Sequence, residues 1–121
     1  DGSAYVERER LNPVDAVALL ASVGGAAVLA HPAQLPRIDD LLRELKAAGL
    51  VGMEVHYAQY TAETVRYLAE LAARHGLIPC GGSDYHGLGN TGEQLPGTQG
   101  PPLESVERLE ETARRLAQAR R

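Results

Sequence analysis

The sequence predicts an α/β fold of parallel βα repeats. Short apolar runs alternate with longer segments whose apolar residues recur at helical spacing, glycines mark most junctions, and two of the runs lead straight into histidine while a third opens onto an Asp-Tyr-His segment. Helix, strand, helix, strand, helix, strand, helix implies a parallel sheet with right-handed crossovers. At 121 residues the chain is long enough for one domain with a real core. No internal boundary or close sequence repeat interrupts it.

The first ten residues, DGSAYVERER, read as an extended lead-in. Asn12 is a good N-cap, Pro13 suits the first helical position and Asp15 places an anion in the first turn. Val14, Val17 and Leu20, with Ala18 and Ala21, form the buried face of this first helix, which Gly24-Gly25 stops. Ala26 to Ala30 is a continuous apolar run, the pattern of a strand buried on both faces. A second helix is expected over Arg37 to Ala48, with Ile38, Leu41, Leu42 and Leu45 inward and Gly49 as its C′ residue. A second strand covers Val51 to Val55. Thr61 caps a third helix that buries Val65, Leu68, Ala69 and Ala72 and closes at His75-Gly76. The third strand runs from Leu77 to Cys80. Leu88 to Pro102, rich in Gly, Pro, Thr and Gln, reads as a loop, and the stretch Gly87 to Gly100 is expected to overhang the strand ends. Leu103, Val106, Leu109 and Leu116 carry a last helix. Three strands make a small sheet, so the chain reads as part of a larger barrel or sheet, or as one that completes itself by association.

Composition narrows the function classes. A net charge of −4 with scattered basic residues is no footprint for a nucleic-acid polymer. One cysteine excludes an internal disulfide and fits a reducing compartment, the cytoplasm. No apolar run approaches the roughly 20 residues of a membrane span, and no signal peptide is visible, so no membrane partner is expected.

The chemistry gathers at the strand ends. AAVLAHP ends at His31-Pro32, GMEVH ends at His56, and the third strand opens into GGSDYHG, which carries Asp84 and His86. In parallel α/β architectures functional residues collect at the C-terminal ends of strands. Adjacent strands lie about 4.8 Å apart, so side chains from neighbouring ends can converge on one ion or a small cluster. Imidazole nitrogen with carboxylate oxygen suits Zn, Mn or Fe rather than Ca, and such an ion generates hydroxide at neutral pH. Hydrolysis is the reaction class that follows. His56 either faces this rim, where it can bind substrate, or points sideways into a helix, and Tyr57 and Tyr60 either line a pocket or pack. His75, beside a helix C-terminus, reads as structural. Cys80 reads as a small buried apolar residue. Glu54, in an apolar strand, needs a partner: an ion pair, or a place in the floor of the site.

With Ala-His-Pro, Gly-Met-Glu-Val-His-Tyr and Gly-Gly-Ser-Asp-Tyr-His-Gly in this order, the chain resembles the polymerase and histidinol phosphatase (PHP) family, closest to its nucleoside 3′,5′-bisphosphate phosphatase branch. The likeness runs from about Ala4 to the last helix. It implies part of a distorted (β/α)₇ barrel with a site for two or three divalent metal ions, and hydrolysis of small phosphorylated metabolites, nucleotides among them, by metal-bound hydroxide. By the same resemblance His31, Asp84 and His86 match metal-ligand positions; His56 and Tyr57 are the substrate-binding candidates by their place at the end of the second strand. The family's opening His-x-His motif has no counterpart here. The whole chain, 1–121, therefore corresponds to the C-terminal portion of such a barrel, its partner either the N-terminal half or another copy of itself. Two other functions fit the residues: a non-catalytic metal-binding or oligomerisation module, and a related hydrolase acting on amides.

Overall fold

A computed structural model describes residues 10–87 and 94–119. The elements run α1 (Pro13–Ser22), β1 (Val28–Leu29), a 3₁₀ turn (Pro32–Gln34), α2 (Ile38–Ala48), β2 (Gly52–Tyr57), α3 (Ala62–Arg74), β3 (Ile78–Gly82) and α4 (Leu103–Gln118). The three strands form one parallel sheet in the order β1-β2-β3. The expected alternation of helix and strand is therefore present. A closed barrel is not: the described residues form an open three-stranded wall.

Local chemistry sets the helix starts. The Asn12 side chain accepts the Val14 N–H at 2.9 Å with Pro13 following. Thr61 Oγ1 accepts the Thr64 N–H at 3.2 Å. Gly49 closes α2 at φ 114°, a conformation that only glycine enters without strain. Arg37 is not helical as expected; it is the residue before α2, in left-handed backbone at φ 51°, with its guanidinium on Asp40.

The core lies between β2 and the helices. Leu42 and Leu45 of α2, Met53 and Val55 of β2, and Leu68 and Leu71 of α3 are buried in one cluster. His75 is structural as its position predicts, with Nε2 2.9 Å from Asp39 Oδ1 on α2. Lys46 Nζ donates to the Gly76 carbonyl at 2.8 Å, tying α2 to the end of α3.

Three expectations about burial and extent are corrected. β1 is two residues long rather than five, and Val28 is 38% exposed, so it is not buried on both faces. The reason is position: β1 is an edge strand with one neighbour, and the side of the sheet shared by Val28, Gly52 and Cys80 is not the side that carries Met53 into the core. Leu20 is 48% exposed, because α1 presents Val17 and Val14 to the core and turns Leu19 and Leu20 outward. β2 extends two residues further than expected, to Tyr57, so His56 lies inside the strand rather than beyond it. The lead-in at 1–9 and the first part of the expected loop, 88–93, fall outside the described residues. The remainder of that loop, 94–102, contains neither helix nor strand.

Candidate metal and phosphoester site at the strand ends

The C-terminal ends of β1, β2 and β3 bring His31, Glu54, Tyr57, Asp84 and His86 to one rim. The His31 backbone N–H donates to Glu54 Oε2 at 2.9 Å, and His31 Nδ1 lies 3.8 Å from the same oxygen. The His31 and Tyr57 rings meet edge to face at 5.7 Å between centroids. Tyr57 in turn donates its hydroxyl proton to Asp84 Oδ2 at 2.7 Å. His31 and Asp84, 53 positions apart in sequence, are thus joined through one tyrosine. His86 Nδ1 lies 2.6 Å from the Asp84 carbonyl oxygen. A carbonyl can only accept, so Nδ1 is the donor in this contact.

A shift in strand register makes this convergence possible. Glu54 pairs with Cys80 but His56 pairs with Gly81, so β2 spends two residues where β3 spends one. In a regular strand Glu54 and Tyr57, three residues apart, point to opposite faces. With one extra residue between them, both reach His31. Gly81 permits the irregularity: a Cβ there would stand 2.2 Å from the His56 carbonyl oxygen.

Two rim residues pay for their places in backbone conformation. His31 and Asp84 have φ of 51° and 55°. Left-handed backbone costs a residue with a Cβ roughly 1–2 kcal/mol, and Asp and His are among those that tolerate it best. Pro32 disfavours right-handed α for His31. Non-glycine strain of this kind concentrates at functional sites.

The electrostatics follow from these contacts. The Tyr57 hydroxyl is pushed up to about 12, first by donating to Asp84, then by burial and by the nearby carboxylates of Asp84 and Glu54, so it stays a proton donor. Burial lowers the affinity of His56 for a proton and keeps it neutral. Its folded-state midpoint therefore lies below the ordinary 6.5, and its contribution to stability is present above 6.5 and lost as pH falls through that lower midpoint. An NMR titration is expected to show the His56 ring protonating below pH 6.5; a midpoint at or above it would contradict the burial. Among the described residues no hydrogen bond, ion pair or ring contact joins His56 to His31 or Asp84. Burial raises the Cys80 thiol, which leaves it a poor nucleophile, in line with its apolar reading.

Neutral imidazole and carboxylate have the donor chemistry of a Zn, Mn or Fe site. Among the described residues, however, no group of three His, Cys, Asp or Glu side chains is drawn close enough to hold an ion. The rim thus carries suitable donors without enclosing a cation. Glu54 is the residue whose part sequence reasoning left open; the signal was a carboxylate in an apolar strand, and its partner turns out to be the His31 backbone. A cleft of about 280 Å³ lies elsewhere, at the N-terminal ends of β2 and β3, lined by Lys46, Ile78, Arg108 and Arg115 among others, and it shares no residue with the rim. No helix among the described residues is long and apolar enough to cross a membrane.

A parallel α/β wall with imidazole and carboxylate donors at its C-terminal rim is the class of protein that fold and site define. The resemblance to metal-dependent phosphoesterases is borne out by relatives. The chain is 48% identical over 73 residues, 60% of its length and 28% of the relative's, to a phosphoribosyl 1,2-cyclic phosphate 1,2-diphosphodiesterase of Eggerthella lenta. It is 34% identical over 104 residues, 82% of its length and 36% of the relative's, to a 3′,5′-nucleoside bisphosphate phosphatase of Chromobacterium violaceum. Among solved structures, it matches a protein of Bifidobacterium adolescentis provisionally described as a metal-dependent phosphoesterase, with TM-score 0.74 and 28% identity over 92% of this chain and 40% of that one. It also matches an amidohydrolase of Chromobacterium violaceum solved with sulfate and no metal, with TM-score 0.70 and 30% identity over 89% of this chain and 39% of that one. No protein-family profile matches the chain. The chain spans between 28% and 36% of the length of the two curated relatives, so it is homologous to a segment of each.

Proposed function

We propose that this chain is the C-terminal, metal-holding part of a divalent-metal-dependent phosphoesterase acting on small phosphorylated metabolites, nucleotides foremost. The observation that carries the reading is the convergence of His31 and Asp84 from different strand ends on Tyr57, both in left-handed backbone, within a segment homologous to phosphatases. In this reading His31, Asp84 and His86 supply ligands, and further ligands come from a part of the parent protein beyond this segment. A divalent ion held there, Mn, Zn or Fe, supplies Lewis acidity toward phosphoryl oxygens and acidifies a water. The chain's own residues orient and shield. Asp84 presents a carboxylate whose other oxygen is held by Tyr57, His86 contributes its imidazole beside it, and neutral His56 serves as a substrate-side donor at the margin, with the Tyr57–Tyr60 pair, 4.9 Å between centroids, as its wall.

Elemental analysis of the purified chain beside Asp84→Asn tests this. Asn tolerates left-handed backbone and still accepts from Tyr57, so the substitution removes the charge and spares the turn. The expected result is retention of about one divalent ion per chain and its loss in the variant. Equal metal in both proteins would remove Asp84 from the ligand set. A metal-free parent chain would favour the second reading, a non-catalytic module that associates through its open sheet, which the absence of three converged ligands among the described residues supports.

A further inference from the structure

We infer that Glu54 and Tyr57 are positioning residues, a matched pair on β2 that holds His31 and Asp84 in the left-handed conformations from which their side chains converge. The inference rests on the metal reading above and deepens it. Two of the three candidate ligands, His31 and Asp84, sit in loops that leave their strands at positive φ, and each of these two is gripped by one β2 side chain. Glu54 Oε2 takes the His31 backbone N–H at 2.9 Å, and the Tyr57 hydroxyl holds Asp84 Oδ2 at 2.7 Å. The grips differ in kind. Glu54 fixes the His31 backbone and leaves its side chain 66% exposed. Tyr57 fixes a side chain: it binds one carboxylate oxygen and leaves Oδ1 facing His86 Nδ1 at 3.9 Å. Tyr57 is itself held, 9% exposed and packed edge to face between His31 and Tyr60.

The register shift joins the two grips. Without the extra residue between Glu54 and His56, the two side chains would leave opposite faces of β2, and only one could reach the rim. The strain at His31 and Asp84 is therefore sustained from a single strand, and loss of either grip frees one ligand without unfolding the sheet.

The test uses this chain with Glu54→Ala, Glu54→Gln and Tyr57→Phe, and reads amide hydrogen exchange at His31, Mn²⁺ affinity from the electron paramagnetic resonance signal of free Mn²⁺, and the urea midpoint. Glu54→Ala is expected to speed His31 exchange about tenfold or more, since a charge-assisted hydrogen bond is lost, and to weaken Mn²⁺ binding about 10–100-fold. Glu54→Gln retains an oxygen acceptor for the same N–H and is expected to recover both to within about threefold. Tyr57→Phe is expected to weaken Mn²⁺ binding about tenfold and to lower the urea midpoint modestly for the hydrogen bond lost, while His31 exchange stays put; a purely packing role, which Phe preserves, would leave Mn²⁺ binding unmoved. Mn²⁺ uptake unmoved by all three variants, with His31 exchange unchanged in Glu54→Ala, would overturn the inference alone. No uptake by the unmodified chain would overturn it together with the metal reading.

Discussion

Gly81→Ala is expected to destabilise the chain by more than about 3 kcal/mol, well above the roughly 1 kcal/mol of a typical substitution. The new methyl would lie 2.2 Å from the His56 carbonyl oxygen, 2.5 Å from its carbon and 2.8 Å from its Cα. All three are backbone atoms of the neighbouring strand, so no rotamer change relieves the clash. Either β2 and β3 separate at their C-terminal ends or the register resets. Both outcomes carry Tyr57 away from Asp84, because Tyr57 pairs with Gly82 one step beyond the shift. Urea unfolding of Gly81→Ala beside Gly82→Ala checks this. A Cβ at Gly82 meets nothing within 4 Å, so the control is expected to cost under about 1 kcal/mol, a glycine-to-alanine change in open space. Equal midpoints for the two would mean that the strands do not approach as described.

Leu68→Ala is the second large effect, expected at about 2–5 kcal/mol. Leu68 is 0% exposed on the inward face of α3, in the cluster that includes Met53 and Val55 of β2. Its removal leaves a cavity against the strand that carries the rim, and the close packing on every side limits collapse. Domains of this size have about 5–15 kcal/mol in total, so one substitution removes a large share. Tyr67→Ala, at a position 49% exposed on the same helix, is expected to cost about 0.5 kcal/mol or less. A Leu68→Ala midpoint that tracked the Tyr67→Ala control would show that α3 does not seal the sheet.

Element types were legible along the chain because each rests on local chemistry. Asn12-Pro13, Thr61 and Gly49 mark helix ends through their own side chains or their own φ, and those ends stand where they were read. The rim was legible too: His31, Asp84 and His86 do lie at strand ends, because a parallel sheet sends all its strand ends to one side. Burial was read less well. Ala26 to Ala30 reads as doubly buried from its composition alone, yet the outer neighbour that would cover Val28 is not among the described residues. Leu20 fits the helical period equally well, but period says nothing about what stands opposite.

Sequence alone thus determined the parallel α/β class, the order of elements and the residue types gathered at the rim, since those follow from periodicity, caps and the direction of parallel strands. Only the tertiary structure decided which of those residues meet. Tyr57 reaches Asp84 and Glu54 reaches His31 because β2 spends one residue more than β3 beside Gly81. A register shift is a relation between two strands distant in sequence, and no single segment encodes it.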